Sequence, residues 1–129
     1  MQIKNHESLE YKDLKLVPKK SILNSREEAD ISARLGKYTF KVPVCAANMK
    51  SILTPEICKT FDARGWRYTY HRLNGAEDVF LFTKKAEREF NLVSISIGIG
   101  DEWVSLLSSI KASRVRIDSL LIDVAHCWN

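Results

Sequence analysis

The sequence has no apolar run long enough to cross a membrane, and no low-complexity tract or linker divides it. Its first fifteen residues, MQIKNHESLEYKDLK, are too polar for a secretory signal peptide. The three cysteines have neither metal-ligand nor disulfide-framework spacing, which favours a reducing compartment. We therefore expect a cytoplasmic chain without membrane association and without a metal site.

The chain also has no large excess of positive or negative charge. Twenty Lys and Arg against sixteen Asp and Glu give a net charge of +4 and a pI near 9.0. The basic residues are dispersed, with only short clusters such as PKK, TKK and SRVRID, so we expect no nucleic-acid partner. A length of 129 residues with 45% hydrophobic and 28% charged residues is typical of one modest globular domain.

Apolar segments rich in β-formers alternate with helical patterns along the chain. The strand segments are residues 40–47, 66–72, 92–98 and 119–125, and the helical segments are residues 54–65, 76–90 and 101–112. Thr54 is placed as the N-cap of the first helix, Pro55 opens it and Gly65 ends it. Asp101 is the candidate N-cap of the third helix, whose apolar face has i, i+3, i+4, i+7 spacing at Trp103, Leu106, Leu107 and Ile110.

The order β-α-β-α-β-α-β predicts parallel strands joined by helical crossovers. Strand centres recur about every 25 residues, close to the spacing of a (β/α)8 barrel of about 250 residues. We therefore expect an α/β fold: the first half of a (β/α)8 TIM barrel, about four βα units, at residues 40–129. Residues 1–39 would form a short N-terminal extension that packs on the barrel. A four-stranded open sheet is the competing architecture.

Two local features have more than one interpretation. Gly98 and Gly100 follow a strand segment, but the third glycine of a dinucleotide-binding fingerprint would fall on Trp103, so that fingerprint fails. The two glycines instead predict a tight strand-to-helix turn. His71 and His126 both lie at predicted strand ends, where barrel enzymes collect functional residues, although a histidine there is more often structural.

Five segments, read in order, resemble one known family. They are YKDLKLVPKKSILNSREEADI, FKVPVCAANM, YHR, SISIGIG and IDVAH. Together they resemble the IMP dehydrogenase/GMP reductase family from Tyr11 to His126. AANM at 46–49 and HR at 71–72 are more similar to the GMP reductase branch, and residues 74–91 leave no room for the regulatory module that dehydrogenases commonly insert.

The resemblance implies an oxidoreductase that uses NADPH to convert GMP to IMP and ammonia in purine nucleotide metabolism. In that family a cysteine on a glycine-rich loop attacks the purine, and this loop lies downstream of the IDVAH strand. Cys45, Cys58 and Cys127 match none of its positions. The resemblance therefore implies no catalytic residue within this chain.

The resemblance does imply ligand-binding positions. Those implied for the cofactor are Ser25, Arg26, Arg72, Asp123, Val124 and Ala125, and those implied for the purine nucleotide are Asn48 and Met49. An arginine suits a phosphate because its planar fork of donors binds oxyanions in a bidentate manner. The family's Ser-Arg pair reaches the NADPH of a neighbouring subunit, which implies an oligomer.

The chain departs from the family after IDVAH, where Cys127, Trp128 and Asn129 follow in place of a small or polar segment. Half a barrel would leave two open sheet edges, so we expect self-association or a second polypeptide carrying the other half. Three functions remain open. The first is one half of a split enzyme. The second is a non-catalytic protein that binds either nucleotide or a full-length GMP reductase. The third is a degraded gene product.

Overall fold

A computed structural model of the chain describes residues 10–125. The chain divides into two compact units, Met1–Asp30 and Ile31–Asn129. The described part of the first unit contains two 3₁₀ turns, Tyr11–Asp13 and Arg26–Glu28. The second unit contains the regular strands and helices, so the fold is described within it.

The second unit is a mixed α/β structure. Its strands are β1 (Ala33–Leu35), β2 (Tyr38–Phe40), β3 (Ser94–Ile97) and β4 (Ser119–Ile122). Its helices are α1 (Pro55–Arg64), α2 (Ala76–Glu89) and α3 (Asp101–Ala112). The alternation of strand and helix predicted from the sequence is therefore present from β2 onward.

Neighbouring strand segments run parallel, in the same order as along the chain. Cys45 forms a parallel bridge with Arg67, and Tyr70 forms another with Ile95. β3 then pairs in parallel with β4, with Ser94 opposite Ser119 and Ile97 opposite Ile122. Each pair is connected by one helix, so the predicted parallel crossovers are confirmed. The described strands do not close into a barrel, and the half-barrel remains a prediction.

Two of the four predicted strands are much shorter in the structure. Residues 40–47 and 66–72 are mostly irregular and pair only at the isolated bridges of Cys45, Arg67 and Tyr70. Pro43 has no N–H to donate to a ladder, which interrupts the first of these segments. Residues 41–43 are bends, and continuous pairing is lost in both segments.

The sequence analysis missed one hairpin. β1 pairs antiparallel with β2, with Ala33 opposite Phe40 and Leu35 opposite Tyr38. The two-residue loop begins with Gly36, whose φ of 59° is a left-handed conformation that glycine adopts without a steric penalty. The Gly-Lys pair between Leu35 and Tyr38 was the available signal.

The predicted helix ends agree with the structure for α1 but not for α3. The Thr54 hydroxyl accepts a hydrogen bond from the Ile57 N–H at 3.4 Å, and Gly65 ends the helix with a φ of 69°. For α3 the N-cap is Gly100, and Asp101 is the first helical residue, so the prediction of Asp101 as N-cap is wrong. Its carboxylate still lies in the first turn, where the helix dipole favours negative charge.

The core lies between the helices and one face of the parallel strands. Tyr70 stacks on Phe82 of α2 with ring centroids 3.9 Å apart, and Ile95 and Ile97 are buried on the same core. Trp103, Leu106 and Ile110 of α3 are buried and Leu107 is partly buried, which confirms the predicted apolar face. A Cβ on Gly98 would come within 2.7 Å of the Trp103 indole, so a glycine is required at this turn.

Candidate functional site

Two site residues predicted from distant parts of the sequence meet where the strands end. Arg72 follows the bridge residue Tyr70 and Asp123 follows β4, so both lie at the carboxyl ends of parallel segments. The Arg72 Nε donates to the Asp123 main-chain carbonyl at 2.9 Å and lies 3.4 Å from its carboxylate Oδ2. The carboxyl edge of parallel strands is the usual place for ligand sites in α/β proteins.

The backbone of Asp123 is held by the neighbouring strand. Its N–H donates to the Ile97 carbonyl at 2.8 Å, which extends the β3–β4 ladder by one residue. Val124 is half-buried and Ala125 is exposed, and both lie beyond the end of β4 in irregular structure. The Asp123 carbonyl and carboxylate are therefore presented to Arg72 from a fixed main-chain position.

The predicted nucleotide-binding residues lie in the turn that follows the Cys45 bridge. Asn48 is half-buried and Met49 is exposed. The Met49 carbonyl accepts hydrogen bonds from the Ile52 and Leu53 N–H groups at 3.0 Å and 2.9 Å, which closes the turn before α1. This turn follows the carboxyl end of its strand segment, as Arg72 and Asp123 follow theirs. The role of Asn48 and Met49 as nucleotide contacts stays a prediction.

Ser25 and Arg26 belong to the first unit and are described within it. The Ser25 hydroxyl accepts a hydrogen bond from the Glu27 N–H at 3.2 Å and caps the 3₁₀ turn Arg26–Glu28. Both residues are exposed and line a surface depression of about 350 Å³ together with Ser21, Leu23, Asn24 and Ala29. Their role as cofactor contacts stays a prediction.

His71 is buried directly beside Arg72. Its Nδ1 accepts a hydrogen bond from the Leu73 N–H at 3.2 Å, which requires an unprotonated Nδ1 and places the proton of the neutral ring on Nε2. Burial lowers the pKa of His71 below its ordinary value, against the opposing effect of the Asp78 carboxylate, and the positive charge of Lys50 adds to the lowering. The imidazole is therefore neutral near pH 7. The second histidine noted in the sequence, His126, lies outside the described residues.

The two described cysteines differ sharply in environment. Cys58 is buried on α1, and burial raises the pKa of its thiol to about 12, so it does not form a thiolate near neutral pH. Cys45 is exposed, with its Sγ 3.5 Å from the Ala46 carbonyl. Cys127 lies outside the described residues.

Residues 10–125 contain no cluster of three or more His, Cys, Asp or Glu side chains able to hold a metal ion. Within the same residues, no helix has the length and apolar character needed to cross a membrane.

The geometry is that of an α/β protein with a charged pair at the carboxyl edge of parallel strands. Comparison with curated proteins narrows this class: the chain is homologous to GMP reductases over more than nine-tenths of its length. This confirms the resemblance found in the sequence. No protein-family model matches the chain.

Three relatives illustrate the similarity. The GMP reductase of Chromobacterium violaceum is 38% identical over 120 residues, which is 93% of this chain and 37% of the relative. The GMP reductase of Lactococcus lactis subsp. cremoris is 38% identical over 91% of this chain and 35% of its own length. The GMP reductase of Helicobacter pylori is 36% identical over 91% and 36%. The chain thus spans little more than a third of the length of these relatives.

Proposed function

We propose that this chain supplies part of the active site of a GMP reductase-like oxidoreductase, binding NADPH and GMP at the carboxyl edge of its parallel strands. The reaction is the NADPH-dependent conversion of GMP to IMP and ammonia. The chain takes part in it together with a second polypeptide that carries the remaining barrel strands and the nucleophilic cysteine.

The observation that carries this proposal is the contact between Arg72 and Asp123. They are separated by 50 residues of sequence, yet the guanidinium lies 2.9 Å from one oxygen of Asp123 and 3.4 Å from another. Both were assigned to the cofactor by the resemblance alone. Their meeting at one edge is what a shared ligand site requires, and homology to GMP reductases supports the identity of the ligands.

The cysteines of this chain support a nucleophile supplied from outside these 129 residues. A cysteine nucleophile must form a thiolate, and the buried Cys58, with its thiol pKa raised to about 12, is unsuited to that role. Cys45 is exposed but does not match the family's nucleophile position. The chain would therefore bind and position ligands, while covalent chemistry comes from the other polypeptide.

The proposed half-barrel accounts for two further predicted features. A second set of strands would pair with the free edge of β4 and complete the site around Asn48, Met49, Arg72 and Asp123. Val124 and Ala125 would follow the same strand end toward the cofactor. Ser25 and Arg26 would reach the cofactor of a neighbouring subunit, so the assembly would be an oligomer. Its proposed location is the cytoplasm.

The test is the oxidation of NADPH in the presence of GMP, followed at the absorbance of the reduced nicotinamide. We expect no turnover with the chain alone. We expect turnover when a polypeptide corresponding to the remaining two thirds of a GMP reductase is added in equal amount. Arg72→Ala in this chain should abolish the restored activity. Arg64→Ala, a change at the last residue of α1, should leave it intact.

Two results would contradict the proposal. Turnover by the chain alone would show that the nucleophile is already present. Failure of the complementary polypeptide to form a complex or restore turnover, in a preparation where that polypeptide is folded, would remove the enzymatic role.

A further inference from the structure

A basic depression lies at the amino ends of the parallel strand segments, at the opposite end from the candidate site. It has a volume of about 230 Å³ and is lined by the β1–β2 turn and by the amino ends of two strand segments. Its cationic lining residues are Lys37 in the turn and Arg67. β4 runs from Ser119 in this depression to Asp123 in the candidate site, four residues at about 3.3 Å each, or roughly 13 Å.

Aromatic rings of β2 position both cations. Tyr38 and Phe40 are alternate residues of this strand, so their side chains lie on the same face. The Lys37 Nζ lies 5.1 Å from the centroid of the Tyr38 ring, and the Arg67 guanidinium carbon lies 5.6 Å from the centroid of the Phe40 ring. Such contacts attract a cation to the ring face without neutralising its charge.

Neither cation has an acidic partner. Within the described part of the second unit, no carboxylate forms an ion pair with Lys37 or Arg67. The carboxylate that lines the depression, Asp118, has a side chain that is only 4% exposed and is already bonded by donors of the protein. These donors are the Tyr38 hydroxyl, the Val93 N–H at 2.9 Å and the Arg116 Nε at 3.4 Å. The positive charge of Lys37 and Arg67 is therefore uncompensated.

The hydrogen-bond donors of the depression match an oxyanion. A terminal nitrogen of Arg67 makes one long hydrogen bond, 3.4 Å to the Ser119 hydroxyl. A guanidinium suits a phosphate because its planar donors bind two oxygens at once, and an ammonium adds a point charge. The Ser119 hydroxyl can donate as well. An anion between Lys37 and Arg67 would also relieve the repulsion between their like charges.

We infer that this depression binds a phosphate group between Lys37 and Arg67, either as inorganic phosphate or as the phosphate of a small monoester. The ligand is not a substrate, because the depression lies at the end of the strands opposite the candidate site. The inference goes beyond the proposed function and does not depend on it, since neither residue is among the predicted NADPH or GMP contacts.

The experiment is a titration of the ¹⁵N-labelled full chain with inorganic phosphate at constant ionic strength. It follows the backbone amide signals of Gly36 and Lys37, which lie in the turn that lines the depression. We expect both signals to shift and to saturate. The amide signal of Lys84 on α2, outside the depression, should not shift.

Two variants and a matched control test the assignment. Arg67→Gln should weaken phosphate binding about 10-fold and Lys37→Gln about 3-fold, because arginine supplies a fork and lysine a single charge. Lys37 is exposed in a turn, so its variant tests the inference even if Arg67→Gln does not fold. Lys84→Gln is the control: the Lys84 Nζ also lies over a ring, 5.3 Å from the Phe80 centroid, and its loss should leave the affinity unchanged.

Ribose 5-phosphate, titrated in place of inorganic phosphate, identifies the form of the ligand. Tighter binding of the sugar phosphate would assign the depression to a phosphate monoester. Tighter binding of inorganic phosphate would assign it to the free ion. Either result supports a phosphate site at Lys37 and Arg67.

Three results would overturn the inference. The first is a shift of the Gly36 and Lys37 signals that does not saturate. The second is the same shift with sodium chloride at equal ionic strength, which would show general screening of charge. The third is an unchanged phosphate affinity in the folded Lys37→Gln variant.

Discussion

At the scale of single residues, burial and one hydrogen bond define the state of His71. The Leu73 N–H can only donate, so the imidazole must present a lone pair at Nδ1. The buried ring then carries its single proton on Nε2. Because the folded protein holds His71 neutral, its stability should depend on pH in a range above the one in which carboxylates titrate.

The pH dependence follows from the lowered pKa of His71. Below the ordinary histidine pKa of 6.5 the unfolded chain binds a proton that the folded chain resists. The free energy of unfolding should therefore fall as the pH decreases from about 7 to about 5.5. Urea titrations at a series of pH values measure it.

His71→Asn supplies the control, because the asparagine side-chain oxygen can still accept from the Leu73 N–H but does not titrate. The variant should show a flatter dependence across the same window, since the other two histidines are unchanged. An identical slope in wild type and variant would show that His71 is not the responsible group.

At the scale of elements, Asp62 ties the end of α1 to the beginning of β3. Its Oδ2 accepts from the main-chain and side-chain nitrogens of Asn91 at 2.8 Å and 3.0 Å, and its Oδ1 accepts from the Leu92 N–H at 2.9 Å. One carboxylate thus satisfies three donors in the connection between α2 and β3. The connection leads directly into the buried strand, so its position affects the register of β3.

We expect Asp62→Ala to lower the free energy of unfolding by ~2 kcal/mol, because it leaves the part-buried Leu92 N–H without its acceptor. Asp62→Asn keeps one oxygen acceptor and should cost less. Asp13→Ala, which changes an exposed carboxylate in the first unit, is the comparison variant and should change stability little. Equal stability of Asp62→Ala and wild type in urea would contradict this role.

At the scale of the whole second unit, β3 and β4 differ in how far they are covered. β3 has neighbours on both sides, and its side chains are 0–5% exposed. In β4, Leu120, Leu121 and Ile122 are 39–50% exposed, and no strand within residues 10–125 pairs with its second edge. Unpaired edges with apolar side chains favour association with another strand.

We therefore expect the isolated chain to self-associate at micromolar concentration, with β4 contributing to the contact. Leu121→Lys should shift the weight-average mass in sedimentation equilibrium toward the monomer, because a charge on an edge strand opposes pairing. Leu81→Lys on α2, where the side chain is 60% exposed, is the matched control and should not change the association. A wild-type chain that remains monomeric would contradict this expectation.

The sequence predicted those features that depend on near neighbours. Thr54, Pro55 and Gly65 set the ends of α1 through local capping, and the four-residue spacing of Leu106 and Ile110 was enough to identify the buried face of α3. The antiparallel β1–β2 hairpin was missed because its strands have three residues each, too short for a clear alternation. Continuous pairing at residues 40–47 and 66–72 was overestimated because pairing depends on a partner and apolar composition alone does not supply one.

For the candidate site too, some properties depend on near neighbours in the sequence and others on the tertiary structure. The sequence by itself determined which residue types lie at the strand ends and which family they resemble, because motifs such as YHR and IDVAH are local strings. Only the tertiary structure decided that the Nε of Arg72 would donate to the Asp123 carbonyl, since this contact joins residues from different strand segments. It also decided that Cys58 would be a buried, protonated thiol and His71 a neutral imidazole, because protonation follows from the surroundings that folding assembles.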